Sequence, residues 1–333
     1  MLEMLLAAAT LAGPEEESPR RALAKLAIAL GTVEAKGASD ADYKPLAAGG
    51  TVEENTWVRT QPKSKAAFDF GDATELRLDE KTEVLLISTR RIELKTGQTF
   101  LRVAQGTPFD IKTQFSPIQT AGGTLTVSFV ERDPADPLRK TVSKTVTSVI
   151  CFEGTTTVGS KRYAQKVTGG YECDLVDSQL NTPDPHEDPA LCSSWVHDII
   201  LARNPGSPEL QRRFHSLLSM LSQSRSARAE AVFRALPEGS APFLAKFLRG
   251  PSQVIDVQRR KVAAAILADT APLRLADDFV ALLQDADADV RVSAAKGLER
   301  LAGKNLGFDE AVWRGDKTAE GVKAWDAWVK KNK

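Results

Sequence analysis

The stretch that decides the fold of the first half of the chain spans residues 66–103 and reads AAFDFGDATELRLDEKTEVLLISTRRIELKTGQTFLRV. Phe68 and Phe70 alternate with less apolar neighbours, and Leu76 and Leu78 repeat the pattern after a short turn. Alternation with a period of two is typical of a strand that buries one face. The stretch therefore predicts several short strands, each followed by its own turn.

The same pattern extends in both directions and sets the fold class. Short, evenly spaced strands are typical of a β-sandwich, a jelly-roll-like pair of sheets or a short β-solenoid. We expect such an all-β domain over residues 26–177. Within it, Glu75 and Arg77 are predicted to lie on the strand face opposite Leu76 and Leu78.

The first 25 residues precede this domain and leave two interpretations open. Residues 1–13, MLEMLLAAATLAG, contain the apolar run and small residues of a secretory signal peptide, but they lack a Lys or Arg and carry Glu3. The alternative is the start of an apolar helix that packs on the β domain. We assign residues 1–25 as an N-terminal segment, a signal-peptide remnant plus a helix.

Residues 178–189 form a proline-rich polar linker, after which the hydrophobic period changes. Beyond the linker, Leu210, Phe214 and Leu217 recur at the spacing of one helical face. We expect an α-helical domain over residues 190–333.

Two segments of this second domain look like one helical unit repeated. Residues 243–267 and 278–301 each contain an apolar helix, a polar turn and a second helix with an alanine pair. Small residues let helices approach closely, as in stacked helical repeats. In the second unit the following apolar residues are predicted to be buried against each other: Val290, Ala294, Leu298 and Leu301 against Leu275, Phe279, Leu282 and Leu283.

Composition excludes several classes of partner. Lys plus Arg and Asp plus Glu both total 44, so no net charge attracts nucleic acid. No apolar run reaches the roughly 18 residues that a transmembrane helix needs. We therefore predict no nucleic-acid binding and no transmembrane span.

No familiar catalytic or cofactor motif occurs in the sequence: it has no Gly-x-Ser-x-Gly elbow, phosphate loop or dinucleotide fingerprint. His186 is flanked by carboxylates in DPHEDP, but the prolines and the missing spaced partner favour a solvated linker over a metal site. His197 and His215 are expected on helices as surface or packing residues. We predict a protein that is not an enzyme and has no catalytic residues, cofactor or metal.

Three cysteines are too few and too scattered for a Cys-x-x-Cys zinc site. Cys151 and Cys173 fall in predicted strands, so a disulfide is feasible if the strands are neighbours and the chain is exported. The alternative is a pair of small buried thiols.

The last helix carries a candidate interaction surface at Trp325 and Trp328. Together with Val322 and Val329 they form an apolar stripe. Tryptophan is enriched at protein interfaces. The same stripe is expected if this helix caps the open end of a repeat array, and the cap is the favoured interpretation.

Six motifs, in order, resemble the β domain of the FecR (ferric citrate regulator) type over residues 49–170. They are FDFGDATEL, IELKTGQTFLRV, PFDIKT, TAGGTLTV, CFEGTTTV and VTGG. The resemblance implies a β domain outside the cytoplasmic membrane that contacts protein partners. In that family a membrane helix connects the β domain to a cytoplasmic segment that controls a sigma factor, and neither part is recognisable in this sequence.

Residues 242–302 resemble HEAT repeats, most clearly in DADADVRVSAAKGLERLAG, and the C-terminal stretch resembles the tail of short HEAT arrays in planctomycete-like bacterial proteins. The two resemblances together imply a non-enzymatic scaffold that binds a protein or an envelope component, in the periplasm or envelope or, alternatively, in the cytoplasm. The alternative functions are a structural envelope protein that binds cell-wall polysaccharide and an enzyme with a divergent site.

Overall fold

The structure is a computed structural model that describes most of the chain beyond residue 21. The described ranges are 22–131, 145–160, 163–176, 179–250, 256–307, 309–315 and 318–332. The signal peptide or packing helix expected at residues 1–13 lies outside them.

Hydrogen bonds join the sixteen described strands into one open sheet. In chain order, β1 to β16 are Ala24–Leu30, Val33–Lys36, Lys44–Pro45, Thr51–Val52, Thr56–Thr60, Lys65–Asp69, Glu75–Leu78, Glu83–Ser88, Arg91–Val103, Phe109–Lys112, Pro117–Glu131, Thr145–Ser160, Tyr163–Thr168, Tyr171–Val176, Gln179–Leu180 and Asp184–Pro185. The longest path of neighbours is β15-β14-β12-β11-β10-β9-β7-β6-β1-β4, and its pairs are antiparallel except β9 with β10.

Three long strands fold the sheet over its own core by bending at glycines. β9 pairs with β8 before Gly97 and with β11 from there on. β11 and β12 change partners in the same way around Gly123 and Gly154. A Cβ on Gly123, whose φ is +118°, would lie 2.1 Å from the carbonyl oxygen of Glu153. Only glycine fits this bend.

Both arms of the folded sheet bury one apolar core. Val58, Val84 and Leu86 come from one arm, Leu76 and Leu101 come from the other, and all five are fully buried. Inward-pointing residues alternate along these strands, as the period of two predicts. The predicted all-β region is confirmed in this form, as one continuous open sheet.

The described chain beyond the sheet is helical. Helices α1 to α10 are Pro189–Cys192, His197–Arg203, Pro208–Met220, Ser226–Ala235, Pro237–Leu248, Val257–Thr270, Ala276–Leu282, Ala288–Ala302, Glu310–Arg314 and Ala319–Asn332, with 3₁₀ turns at Ser194–Val196 and Leu273–Leu275. The side chains of Ser207, Asp256 and Asp287 cap the N-termini of α3, α6 and α8. These are the residue types that such positions favour.

Helices α7 and α8 form the pair that the apolar spacing predicts. Phe279 and Leu298 are fully buried, and the other predicted contact residues are at most 4% exposed, except the half-buried Leu275 and Leu301. Asp285 and Asp287 make the turn between the helices, where the Asp285 carboxylate accepts a hydrogen bond from the Asp287 N–H at 3.0 Å. The burial is confirmed, and the assignment to HEAT repeats stays a prediction.

Strands occur on both sides of the limits expected for the β region, residues 26 and 177. The segment Ala24–Leu30 is strand β1, although its Ala and Leu residues favour a helix, because pairing with β4 and β6 outweighs that preference. The predicted linker at 178–189 contains β15 and β16, which both pair with β14. Helix α1 begins at Pro189, so the described residues change from strand to helix between Pro185 and Pro189.

Candidate functional site

Charged residues on the outer face of the sheet meet the first helices at a buried contact. Arg77 on β7 is 2% exposed, and Glu75 on the same strand is 6% exposed. The Arg77 guanidinium donates two hydrogen bonds of 2.9 Å to Glu75 and two of 3.2 Å to Glu209 on α3. We call the set Glu75, Arg77, Arg102 and Glu209 the sheet–helix joint.

Strand alternation explains why the joint forms on this face. Leu76 and Leu78 point into the core of the sheet, so Glu75 and Arg77 point to the opposite side, where α3 covers them. The sequence pattern correctly separates the two faces. It contains no signal that distinguishes a charged strand face in water from one beneath a helix, and the joint was therefore missed.

Further ion pairs extend the joint along α2 and α3. Arg102 on β9 lies 2.7 Å from Glu209, and Arg203 at the end of α2 lies 2.8 Å from Glu75 and 2.7 Å from Asp69. Sheet and helices are thus connected by interleaved cations and anions. Removing one partner would leave a buried charge uncompensated, which is costly.

Burial and neighbouring charge shift the pKa values of residues in the joint in opposite directions. Burial alone would raise the pKa of the Glu209 carboxyl group, but Arg77 and Arg102 outweigh burial and lower that pKa to about 2. Burial alone would lower the pKa of Arg77, but Glu75 and Glu209 raise it. Both groups are therefore charged at neutral pH.

Aromatic rings complete the contact between sheet and helices. The Phe100 ring lies 4.9 Å from the Arg77 guanidinium carbon and 5.6 Å from that of Arg213, within the range of cation–π contacts. The Phe152 ring lies 5.9 Å from Phe100. Burial lowers the pKa of Arg213 to about 10, and its guanidinium donates to the Ser193 hydroxyl at 2.9 Å.

Two clefts flank the joint. Cleft A has a volume of about 540 Å³, and it is lined by Thr124, Phe152 and Glu153 from the sheet and by Arg212 and Ser216 from α3. Cleft B, of about 620 Å³, opens on the other side, between α2 and the turn after β6. Both clefts are composite, since each takes its walls from the sheet and from the helices.

Each histidine is packed against an aromatic ring. The pairs, with their centroid distances, are His186–Phe152 at 5.3 Å, His197–Phe214 at 6.0 Å and His215–Phe243 at 5.0 Å. His197 is fully buried, and neither ring nitrogen has a hydrogen-bond partner. Burial, followed by the charge of Arg213, lowers its pKa to about 3. Within the described ranges, no group of three or more His, Cys, Asp and Glu side chains is placed to hold a metal ion.

The two tryptophans of the candidate interaction surface differ in exposure. Trp325 is 1% exposed, whereas Trp328 is half-buried, and their rings meet edge to face at 5.8 Å. The burial of Trp325 removes it from the surface and favours the capping interpretation of α10.

The structure holds Cys151, Cys173 and Cys192 as free thiols. Cys151 on β12 and Cys173 on β14 are fully or almost fully buried on neighbouring strands. The structure therefore has the arrangement of buried thiols and not the disulfide.

One family model matches part of the β region. Residues 56–156 match the family model for FecR protein. The match covers less than half of the 333-residue chain, and this FecR-matching segment extends from β5 into β12. It supplies Arg77 to the joint and Phe152 and Glu153 to cleft A. A search of curated proteins gave no match.

Two crystal structures of a "putative anti-sigma factor" from Parabacteroides distasonis are similar to part of the chain, with 15% and 13% sequence identity. Each match covers 42% of this chain and 64% of the other, with a TM-score of 0.35. A likeness this weak carries no functional argument. In the part of the chain that the structure describes, no helix is both long and apolar enough to span a membrane.

Proposed function

We propose that this chain is a non-enzymatic regulatory protein that acts by binding another protein in signalling at the cell envelope. The observation that carries the proposal is the FecR match over residues 56–156. The proposed location is the periplasm or envelope.

The geometry supports recognition by a composite surface. The FecR-matching segment contributes Phe152 and Glu153 to cleft A, and α3 contributes Arg212. A partner seated in this cleft would contact both regions of the chain at once. Arginine and aromatic side chains are the groups most often responsible for affinity at protein interfaces.

The helical region adds a second surface to the proposal. We assign residues 26–177 and 190–333 to two domains, the second of which presents stacked helices in the manner of HEAT repeats. Such stacks offer extended faces to other proteins. The packing of α7 on α8 and of α6 on α8 supports this assignment.

Co-purification followed by rebinding tests the proposal. The tagged chain is cross-linked in cells of its native host, recovered separately from envelope and soluble fractions, and its companions are identified by mass spectrometry against a tag-only control. We expect one protein to be enriched in the envelope fraction and to rebind the purified chain with a Kd of about 1 μM or tighter, close to −8 kcal/mol. Recovery of polysaccharide without protein, or failure of every recovered protein to rebind, would contradict the proposal.

A further inference from the structure

Cleft A contains one cation that the rest of the described protein does not neutralise. Arg102 is paired with Glu209 at 2.7 Å, and Arg213 lies 3.5 Å from the same carboxylate. Arg212 also lines the cleft, and it is exposed. Within the described ranges the Arg212 side chain makes no hydrogen bond and no ion pair. Its five N–H donors are therefore available at the rim of the cleft.

Asp188 and Glu153, two carboxylates that line cleft A, differ in how many hydrogen bonds they already accept within the protein. Asp188 is already occupied, since it accepts hydrogen bonds from the Ala190 N–H at 2.7 Å and from the Ser216 hydroxyl at 2.5 Å. Glu153 accepts a hydrogen bond of 3.2 Å from the Thr124 hydroxyl, and it has no cationic partner among the described residues. Glu153 is thus open to a ligand N–H group in the same cleft as the unpaired Arg212 side chain.

Apolar surface lies beside these two polar groups. Phe152 lines cleft A and is half-buried, and its ring packs on Phe100 at 5.9 Å and on His186 at 5.3 Å. These contacts hold the ring in place and leave part of it open to the cleft. A rigid aromatic surface of this kind favours an apolar side chain.

We infer that cleft A binds a short, extended peptide segment that carries a carboxylate. Arg212 pairs with the carboxylate, Glu153 accepts a backbone N–H of the peptide, and Phe152 contacts a neighbouring apolar side chain. The volume of about 540 Å³ lies in the range of sites for small ligands. The inference rests on the proposed function, because it identifies the place where the protein partner is held.

Fluorescence polarisation with designed peptides tests the inference. The probe is a fluorescein-labelled hexapeptide of alternating Glu and Leu, and the matched probes replace every Glu by Gln or by Lys. We expect the full chain to bind the Glu probe at least about 10-fold more tightly than the Gln probe, since a charge-assisted pair contributes about 1.4 kcal/mol or more. Equal affinity for the Glu and Gln probes, or no binding of the Glu probe up to about 1 mM, would overturn the inference.

Variants at one position assign the binding to the cleft. Arg212→Gln should weaken binding of the Glu probe about 10-fold. Arg212→Glu should make the chain bind the Lys probe more tightly than the Glu probe. The control is Arg225→Gln, because Arg225 is also an exposed arginine but lies outside cleft A. Arg212 is exposed, so both variants should melt like the wild type. Unchanged binding by the Arg212 variants, or an equal loss in the control, would contradict the assignment.

Two further experiments distinguish a peptide site in cleft A from a site for small carboxylates and from a partner site elsewhere on the chain. Free N-acetyl-glutamate should compete at least about 10-fold more weakly than the unlabelled peptide, and equal competition would assign the cleft to small carboxylates instead. If the partner found by co-purification still binds Arg212→Glu with unchanged affinity, the cleft is not its site. In that case the inference fails while the proposed function stands.

Discussion

The β region and the helical region use glycine for different purposes, and the difference shows what stabilises each one. Gly123 in the sheet has a φ of +118°, and a Cβ there would meet a backbone oxygen 2.1 Å away. Gly303 ends α8 with a φ of +66°, and a Cβ there would meet nothing within 4 Å. The sheet depends on backbone positions that no other residue can occupy, whereas the helices depend mainly on side-chain packing.

The largest loss of stability is expected on substitution of Gly123, at the bend of the sheet. Gly123→Ala combines a backbone conformation that is essentially limited to glycine with a contact that cannot relax without moving β12, so we expect the chain not to fold. Gly303→Ala should cost only about 1 kcal/mol, because strain at the helix end is the sole penalty. Circular dichroism and urea unfolding measure both. Similar stabilities for the two variants would remove the distinction between the regions.

The second-largest loss of stability is expected on substitution of Glu209, in the joint where the two regions meet. Glu209→Gln keeps the size of the side chain but leaves Arg77 and Arg102 short of one carboxylate, which should cost about 3 kcal/mol in urea unfolding. The control is Glu238→Gln, whose side chain is 66% exposed and pairs with Arg274 on the surface. It should change stability by less than about 1 kcal/mol. Equal effects of the two substitutions would show that the joint contributes no more than a surface pair.

Within the helical region, the loss of stability on truncating a side chain should depend on how deeply that side chain is buried. Leu298 on α8 is fully buried, so Leu298→Ala should cost about 2 to 5 kcal/mol through lost contacts and a cavity. Leu301 on the same helix is half-buried, and Leu301→Ala should cost clearly less. Thermal melts of both variants check the order. A loss at Leu298 within the error of the melt would contradict the packing of α7 and α8.

The smallest effect concerns pH and the buried histidine between the regions. The pKa of His197 falls from an ordinary 6.5 to about 3 on folding, so the unfolded chain takes up a proton below pH 6.5 and the folded chain does not. Its contribution to the free energy of unfolding is complete well above pH 6.5 and is lost as the pH falls toward 3, by about 1.6 kcal/mol between pH 6.5 and pH 5.

His197→Phe should remove this dependence and change stability at pH 7 by less than about 1.5 kcal/mol, because neither ring nitrogen has a partner to lose. Urea unfolding at pH 7, 6 and 5 measures the slope. If the variant keeps the full slope of the wild type between pH 6.5 and 5, His197 is not its source.

Local patterns predicted most of the fold. The period of two placed Leu76 and Leu78 in the core of the sheet, and the helical period placed Phe279 and Leu298 in the core of the helices. The first two residues of β1, Ala24 and Lys25, were assigned to the N-terminal segment, because long-range pairing decides the structure of this strand and local propensity does not report such pairing.

The candidate site was harder to predict. Cleft A joins Phe152 and Glu153 to Arg212, which lies about 60 residues further along the chain, and they come together because α3 covers the sheet. No spacing rule connects them. Trp325 and Trp328 stood out in the sequence by residue type, yet the structure buries Trp325. Composition identifies residues that favour interfaces, but only the packing shows which of them remain accessible.

The central claim is that cleft A holds a segment of a protein partner, and photo-cross-linking in the native host tests it most directly. A photoreactive amino acid replaces Pro208, which is exposed and lines cleft A, or Arg225, which is exposed outside it. The account predicts a protein adduct of one mass from position 208, its loss when Arg212→Glu is added, and no such adduct from position 225. No protein adduct from position 208, or an adduct that persists undiminished with Arg212→Glu, would contradict it.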